Sequence, residues 1–405
     1  MRKGSNINIV LERDLCIGCG ICKICPEKAI VLTYDDWSGY KPKLVEEKCV
    51  GCGLCLDLCP SYGNFLEYCK NSVIGSYLNI YLAYACDDKI RYEASSGGIV
   101  TTLLLWALEK NVIDGAILTK MSKENPIRTE VCVATTEREV LSCMGSKYNI
   151  SPVGAALSQI KDKEGKFAVV GLPCHILAYK KAAKRLKLDQ KIVFYIGLFC
   201  NHTSYPQATK FLLEKEGINL TDVESISYRG NGWPGFMKIY LKNGRKKLLP
   251  SQECFLTYFS SYFFSPLRCL VCNDVTAELA DISVGDAWLP ELKKSDRLGS
   301  SILITRSFVG EKLIKNLSTE GRICIKKLPL EKVIQSQKGN LNFKKINVAW
   351  NGRTRTLNIA LRISRILAFI NHYFSKNKNF YPILRKIPKK ILLLYGKGIE
   401  TLKTV

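Results

Sequence analysis

The chain has 405 residues, 47% of them hydrophobic, and its 60 lysines and arginines exceed its 36 aspartates and glutamates, for a formal net charge of +24. This length can form two or three domains with cores of their own, and the hydrophobic content is ordinary for a globular protein. The charge favours an anionic cofactor, an acidic protein or a lipid surface as partner, whereas the lack of a nucleic-acid-binding motif argues against nucleic acid.

The sequence has 18 cysteines and no feature of a secreted or membrane-spanning protein. Residues 1–14 contain no uncharged apolar stretch of the kind found in secretory signals, and no run of eighteen apolar residues could span a bilayer. In a reducing compartment thiols bind metals rather than form disulfides. We therefore expect a cytoplasmic protein whose cysteines serve metal centres, and whose contact with a membrane, if it has one, is peripheral.

Two cysteine runs near the N-terminus repeat with an offset of 33 residues. Each run has three cysteines separated by two residues, and each is followed by a Cys-Pro pair. Three such thiolates can bind one 4Fe-4S cluster, while the cysteine before proline ligates the other cluster of a two-cluster ferredoxin. The pattern predicts a ferredoxin domain over residues 1–70. One cluster would be held by Cys16, Cys19, Cys22 and Cys59, and the other by Cys49, Cys52, Cys55 and Cys25.

The repeat is less regular at its Cys-Pro pairs. Two residues separate Cys22 from Cys25, whereas the usual three separate Cys55 from Cys59, so the set completed by Cys59 is the better defined. Paired zinc sites and a disulfide framework are the alternatives. Segments 7–10 and 29–33 have the apolar, β-branched character of short strands beside the clusters.

The larger body of the chain alternates predicted strands and helices. Buried strands at 167–174 and 192–200 end in Gly-Leu-Pro-Cys and Gly-Leu-Phe-Cys, with a helical pattern at 176–186 between them. This βαβ pattern predicts parallel strands whose cysteines emerge at one carboxyl edge of the sheet, where ligands bind in open α/β sheets. With a later Cys-x-x-Cys pair they would hold a third 4Fe-4S cluster, the alternative being buried apolar cysteines and a lone zinc or redox pair. The proposed ligands are Cys174, Cys200, Cys269 and Cys272.

Several polar residues are candidates for cofactor binding or proton transfer. The run Ser95-Ser96-Gly97-Gly98 precedes a helix predicted from residue 99, with serine as its cap, and such a start can bind a phosphate or be purely structural. Asp286 ends a strand and would face a ribose or flavin hydroxyl, or form a turn. His175 and His202 follow the sheet-edge cysteines and would relay protons or cap loops.

Seven segments, taken in order, resemble the beta subunits of coenzyme F420-reducing hydrogenases and F420-dependent dehydrogenases over roughly residues 75–330. They are 93–98, 145–148, 171–175, 197–202, 228–235, 269–272 and 281–288. The resemblance implies an iron-sulfur flavoprotein that binds FAD and carries a nearby cluster on the four body cysteines. It also implies that Lys147, if near the flavin ring, stabilises reduced anionic flavin, the alternative being a solvated lysine. The implied flavin contacts are Ser95, Ser96, Gly97, Gly98, Lys147 and Tyr148.

The predicted fold class is α+β, a small two-cluster ferredoxin domain followed by a larger α/β flavin-binding domain with a mostly parallel central sheet. The predicted domains are 1–70 (ferredoxin), 71–165 and 166–345 (the two parts of the beta-subunit domain) and 346–405 (a basic, helical, amphipathic tail). Residues 351–405 contain twelve lysines and arginines and one acidic residue. This tail would lie on an anionic membrane surface, dock to an acidic protein, or pack on the body as a helix with a solvated basic face.

The predicted function is that of an oxidoreductase that transfers electrons between a hydride carrier and one-electron carriers through FAD and 4Fe-4S clusters. Coenzyme F420 is the expected hydride carrier, and ferredoxin or a redox subunit is the expected one-electron partner. Lys147, His175 and His202 are the candidate catalytic residues. The alternatives are a ferredoxin-fed reductase of an organic substrate, for example in polysaccharide or cell-envelope metabolism, and an electron-transfer subunit without turnover of its own.

Overall fold

The computed structural model of the protein describes residues 5–63, 72–259 and 264–346. The predictions for the tail at 351–405 lie outside these residues, as does the predicted domain boundary at residue 70. In the described part of the chain, no helix has both the length and the apolar character needed to cross a bilayer.

The N-terminal module is built from short elements around its cysteines. A predicted strand at 7–10 is wrong, because this segment enters a helix in which the Leu11 N–H donates to the Ile7 carbonyl at 3.2 Å. Ile7 and Val10, both buried, are three residues apart and so share one helical face. The predicted strand at 29–33 is confirmed. The elements are α1 (Asn8–Glu12), a 3-10 turn (Ile21–Ile24), antiparallel β1 (Ile30–Asp35) and β2 (Gly39–Leu44), a 3-10 turn (Glu46–Lys48) and α2 (Leu54–Asp57).

The body contains an eight-stranded sheet and a separate three-stranded one. The strands are β3 (Asn79–Ala85), β4 (Gly115–Met121), β5 (Thr129–Ala134), β6 (Phe167–Gly171), β7 (Ile192–Leu198), β8 (Val223–Ser227), β9 (Phe236–Leu241), β10 (Lys246–Pro250), β11 (Ile282–Asp286), β12 (Ser301–Thr305) and β13 (Ile323–Lys327). The large sheet has the order β13-β3-β12-β11-β7-β6-β4-β5, and the small sheet has the order β10-β9-β8.

The large sheet is mixed rather than mostly parallel, which corrects the predicted fold class. Its central strands β11, β7, β6 and β4 are parallel to their neighbours within this group, including the predicted β6–β7 pair. Every other pairing is antiparallel. One reason is local: β4 and β5 are joined only by residues 122–128, too few for a parallel crossover. Because β12 is antiparallel to both its neighbours, β3 runs in the same direction as the central four, and these five carboxyl ends share one edge.

Helices cover both faces of this sheet. The body helices are α3 (Asp88–Glu93), α4 (Ile99–Glu109), α5 (Glu137–Ser142), α6 (Leu157–Ile160), α7 (Pro173–Leu186), α8 (Pro206–Lys215), α9 (Ser251–Cys254), α10 (Leu267–Leu270), α11 (Pro290–Ser295), α12 (Phe308–Thr319) and α13 (Leu330–Leu341). Ala168 of β6 packs with α4 and α12, whereas its neighbour Val169 packs with α7, as the alternation of strand side chains requires. Before β6 the chain forms a 3-10 turn (Val153–Ala156) followed by the single turn of α6.

The N-terminal module is packed into the body rather than tethered beside it. Ile17, Ile21 and Leu58 of the module share one buried cluster with Leu157 and Tyr179 of the body. The backbone of Gly154 donates to the Cys19 carbonyl at 2.7 Å. The module therefore lies on the α7 face of the sheet, with its cysteines against the body.

Candidate functional site

The structure brings together the four cysteines of the first predicted set. They lie on the loop before the 3-10 turn, in that turn, and directly after α2, and they are Cys16, Cys19, Cys22 and Cys59. Burial raises the pKa of the Cys19 thiol well above its usual value, and the nearby Cys59, Cys22 and Cys16 raise it further. Closely packed thiols that oppose one another's ionisation stay protonated unless a cation lies among them, and the iron of an iron-sulfur cluster would supply that positive charge.

The second set surrounds its own cavity in the module. Cys25, Cys49, Cys52 and Cys55 line this cavity. Cys25 therefore lies with this set despite its short spacing from Cys22. Cys52 is exposed, whereas Cys19, Cys22 and Cys59 of the first set are buried, so the second set is nearer to the protein surface.

The third set also converges, at the carboxyl edge of the large sheet. It comes from the first turn of α7, the residues after β7, and α10 with its C-terminal end, and it comprises Cys174, Cys200, Cys269 and Cys272. These line a cavity together with His175, His202 and Lys344. Burial, followed by the neighbouring Cys200, Cys269 and Cys272, raises the pKa of the Cys174 thiol.

Cys272 differs electrostatically from the other members of this set. Burial acts to raise the pKa of its thiol, but the cations of Lys344 and Arg268 outweigh burial and lower it. Lys344 donates to the Cys272 sulfur at 3.4 Å. In the described residues no three His, Cys, Asp or Glu side chains form a ready site for a metal ion, and the second and third cysteine sets instead line cavities.

The two predicted histidines both line the third cavity, in different environments. The Leu172 N–H donates to His175 Nδ1 at 3.3 Å, so the proton of the neutral ring is on Nε2. Burial lowers the pKa of His175 to about 4, which keeps the ring neutral near pH 7. His202 Nδ1 lies 2.8 Å from the hydroxyl of Ser265. A proton-relay role for either residue stays a prediction.

The first and third sets are adjacent. Ile17, next to Cys16, lines the third cavity, and the Arg268 guanidinium, next to Cys269, donates to the Pro60 carbonyl at 3.4 Å. Tyr205 is buried between the sets, and burial, followed by Cys16 and Cys269, raises the pKa of its phenol. The module is thus docked with its buried cysteine set facing the body set.

The predicted phosphate-binding helix start lies at the same edge of the sheet. The helix begins at Ile99 as predicted, but its N-cap is Gly98 in the left-handed conformation, and no side chain caps it. The predicted serine cap is therefore wrong. The two serine hydroxyls bind elsewhere: Ser96 donates to the Ser300 carbonyl at 2.8 Å, and Ser95 accepts from the Ser146 N–H at 2.7 Å. Gly97 packs so closely on β3 that a Cβ would lie 2.5 Å from the Ala83 carbonyl oxygen.

Lys147 and Tyr148 lie beside this loop. The Lys147 ammonium donates to the carbonyls of Cys143, Met144 and Gly145 at the C-terminal end of α5. These are the positions where a helix end attracts a cation, and they account for all three of its hydrogens. Burial lowers the pKa of Lys147 to about 8. The Tyr148 ring packs edge-on against Tyr228 at 5.5 Å between centroids.

Asp286 makes contacts that the sequence did not predict. Its carboxylate binds the buried Arg229 guanidinium in a fork, with N–O distances of 3.0 and 3.1 Å, and accepts from the Trp233 indole at 2.9 Å. Arg229 also donates to the Ser95 carbonyl. Burial acts to lower the pKa of Arg229, but Asp286 keeps it above its ordinary value. The ion pair therefore links the end of β11 to the glycine-rich segment 228–235 and to the helix start.

Four residues of the site had no assigned role in the sequence: Arg229, Trp288, Arg268 and Lys344. Arg229 belongs to the glycine-rich segment, and Arg268 precedes the Cys-x-x-Cys pair, so both were near recognised motifs. Trp288, whose ring lies 4.8 Å from that of Trp233, follows the Gly-Asp end of β11. Lys344 carries no local signal, because its partners are 70 or more residues away in the chain.

These features define a protein in which a two-cluster ferredoxin module is built onto a mixed α/β body with a further cysteine site at its sheet edge. Family models match in the same order. Residues 15–62 match the 4Fe-4S dicluster domain, and residues 80–158 and 164–331 match the N-terminal and C-terminal parts of the coenzyme F420 hydrogenase/dehydrogenase beta subunit. The chain belongs to the coenzyme F420 hydrogenase/dehydrogenase beta-subunit family, as the sequence predicted, and carries a 4Fe-4S dicluster domain.

Several named relatives share this similarity. One subunit of the F420H2 dehydrogenase of Methanosarcina mazei is 28% identical over 326 residues, covering 78% of this chain and 85% of the relative. The coenzyme F420 hydrogenase beta subunit of Methanothermobacter thermautotrophicus is 31% identical, covering 64% and 88%. A chain of the F420-reducing NiFe hydrogenase complex from Methanosarcina barkeri is similar in structure, with a TM-score of 0.55 and 25% identity, covering 69% of this chain and 94% of that one.

Proposed function

We propose that this protein is an iron-sulfur flavoprotein oxidoreductase that passes electrons between coenzyme F420 and a one-electron carrier. The observation that carries the proposal is the contact between the module and the body, in which Ile17, next to Cys16, lines the third cavity and Arg268, next to Cys269, donates to the Pro60 carbonyl. Two separate electron carriers would not need this packing. A continuous path does need it, since neighbouring redox centres must lie close together to exchange electrons.

The order of the sites follows from their exposure. The Cys25/49/52/55 set is the outermost, because Cys52 is exposed. The Cys16/19/22/59 set, of which Cys19, Cys22 and Cys59 are buried, faces the body, and the Cys174/200/269/272 set lies at the sheet edge. We propose that an external one-electron carrier, either a ferredoxin or a partner subunit, docks at the outer set, and that the body set is next to the flavin.

The helix start and its surroundings fit a flavin nucleotide in two respects. The N-terminus of α4 has no side-chain cap, so its first N–H groups and its dipole can bind a phosphate. Among the described residues, the Nε of the buried Arg229 has no hydrogen-bond partner, and a ligand could supply one. FAD would be held by Ser95, Ser96, Gly97, Gly98, Lys147 and Tyr148, with Asp286 acting through Arg229.

When bound, a flavin supplies the exchange between two-electron and one-electron chemistry. This chain's residues position it and set the charge around it. The Lys147 ammonium is hydrogen-bonded to three backbone carbonyls. With a pKa of about 8, this side chain is mostly protonated at pH 7. His175 holds its proton on Nε2 at the edge of the cysteine cavity. We propose these two residues, with His202, for charge stabilisation and proton transfer.

Coenzyme F420 is the proposed hydride carrier for two reasons. Relatives at 28–31% identity are named for F420 or its reduced form, and the coenzyme's anionic tail suits a chain of formal net charge +24. The test is anaerobic oxidation of F420H2 by the purified, reconstituted protein with a one-electron dye as acceptor. Turnover is expected without any other subunit. Reduction of the clusters by ferredoxin without F420H2 oxidation would instead favour the reductase of an organic substrate.

Iron analysis tests the third cluster separately. Three 4Fe-4S clusters require about twelve irons per chain, and Cys269→Ser should lower this to about eight while the ferredoxin pair remains. Cys254→Ser, which changes a buried cysteine outside the three sets, is the control and should keep the full content. About eight irons in both the wild type and Cys269→Ser would contradict the proposed third cluster. Absence of FAD from an acid extract would contradict the proposed flavin.

A further inference from the structure

Lys344 is a buried lysine at the third cysteine site. It lies in the π-helical turn Asn342–Ile346 after α13, and only 1% of the residue is exposed. This position is beyond residues 164–331, which match the C-terminal part of the family domain. After the edge strand β13 and the helix α13, the chain comes back to the cysteine site, and this turn places the Lys344 ammonium beside the cysteines.

Every hydrogen of this ammonium has an acceptor. Nζ donates to the Asp274 carbonyl at 2.7 Å, to the Cys200 carbonyl at 2.8 Å and to the Cys272 sulfur at 3.4 Å. An ammonium has three donors and no acceptor. Lys344 therefore links the backbone after β7, the loop after α10 and one sulfur of the set. These three hydrogen bonds fix the orientation of its ammonium group.

The charge of Lys344 requires an anion. No described carboxylate forms an ion pair with it, whereas its neighbour Lys345 pairs with Glu278. A buried ammonium is costly unless a negative charge lies beside it. The four cysteine thiolates of the site, when they bind a metal cluster, supply most of that charge, and the nearby Asp274 carboxylate adds to it.

We propose that Lys344 is a positioning residue of the body cluster, which orients Cys272 and raises the cluster's reduction potential. This inference depends on the third cluster of the proposed function. Hydrogen bonds to the sulfurs and the net charge around a cluster set its potential. A cation stabilises the reduced state, which carries one more negative charge. The body cluster is then a better electron acceptor than it would be with an uncharged residue at 344.

The test compares Lys344→Met, Lys344→Arg and Lys345→Met by anaerobic reductive titration with EPR detection, alongside iron analysis. Methionine keeps the length and removes the charge, arginine keeps the charge, and Lys345→Met removes a cation from the same turn without touching Cys272. In Lys344→Met, one cluster signal is expected to become at least tenfold harder to reduce at equilibrium, which is 59 mV for a one-electron step. The ferredoxin signals should not move, and Lys344→Arg should recover most of the shift.

The outcomes separate the inference from the proposed function. About eight irons in the wild-type protein would defeat the third cluster, and the inference with it. About twelve irons with an unchanged cluster potential in Lys344→Met would contradict the role of Lys344 and leave the third cluster in place. If Lys344→Met loses only the body cluster, its retention in Lys344→Arg supports the charge role, whereas loss from both variants overturns it. A shift of equal size in Lys345→Met would also overturn it, because the effect would then not depend on the contact with Cys272.

Discussion

Asp286 shows how a motif residue can be located correctly while its protein partners are missed. The sequence placed it at the end of a strand, and it is the last residue of β11. Its carboxylate, however, is occupied by Arg229 and Trp233. The strand position follows from local pattern, but the partner is 57 residues away and depends on how the small sheet folds against the large one.

Replacing Asp286 by asparagine should be strongly destabilising. The change keeps the shape but leaves the Arg229 guanidinium buried without its countercharge, which costs about 3–5 kcal/mol. Urea unfolding measures this loss. Glu109→Gln is the control, because it breaks the exposed pair with Arg322, where a change within about 0.5 kcal/mol is expected. Equal effects of the two substitutions would contradict a structural role for the buried pair.

Lys147 should give the folded protein a distinctive dependence on pH. Its pKa falls from 10.5 to about 8 on folding, so between these pH values the unfolded state binds more protons. The free energy of unfolding should therefore rise with pH across this window, by about 3 kcal/mol from this residue. Unfolding at pH 7.5 and 10 should show a smaller rise in Lys147→Met than in the wild type. Lys110→Met, at the exposed pair with Glu320, should keep the wild-type rise, and an unchanged rise in Lys147→Met would exclude this effect.

At the scale of elements, the edge of the large sheet carries a pair of cysteines that the cluster sites do not use. Cys86 follows β3 and Cys324 lies on the neighbouring antiparallel strand β13. Both are exposed, and their sulfurs are 3.3 Å apart. A disulfide bond is about 2.0 Å long, so a small side-chain movement would join them.

Oxidised glutathione should link Cys86 to Cys324. The two thiols lose two protons and two electrons, and the glutathione disulfide takes them up as two thiols. Burial and the Cys324 thiol raise the pKa of Cys86 to about 11, and the thiolate is the reacting species, so linkage should be about a hundredfold faster at pH 9 than at pH 7. Peptide mass mapping without reductant detects the link. Cys324→Ser should abolish it and Cys254→Ser should not, while single glutathione adducts alone would disprove the pairing.

At the scale of the whole molecule, the module and the body form one unit rather than two domains joined by a linker. Their shared buried cluster includes residues from the first cysteine run and from α7. Lys181 of α7 donates to the Cys59 carbonyl at 2.8 Å. The relative position of the first and third cysteine sets is therefore built into the core.

Gly154→Ala should weaken this docking. An added Cβ would lie 2.7 Å from the Ile21 nitrogen and 2.8 Å from the Cys19 oxygen, so the module backbone must shift. Such overpacking costs about 1–3 kcal/mol, and unfolding monitored by cluster absorbance should show a lower midpoint. Ser158→Ala, a similarly small change nearby in α6, is the control. A midpoint as high in Gly154→Ala as in Ser158→Ala would show that the contact is not tight.

Much of this protein follows from local sequence. Cysteine spacing identified the ferredoxin module, because ligands of a cluster must be a fixed number of residues apart, and seven short segments of the body identified the family. The buried strands β6 and β7 and the helix between them were predicted for the same kind of reason, since period and composition are local properties. The helical segment at residue 8 was misjudged because a four-residue segment with three apolar residues fits the period of a strand or of a helix.

Other features depended on contacts between distant segments. Strand direction at the edges of the large sheet, the Arg229–Asp286 pair, the return of Lys344 to Cys272 and the docking of the module on α7 all join residues far apart in the chain. Such pairings are selected by the burial of whole surfaces and by the cost of leaving a charge or donor unpaired. That cost arises only once the core has formed, so these contacts cannot be predicted from any local stretch of the sequence.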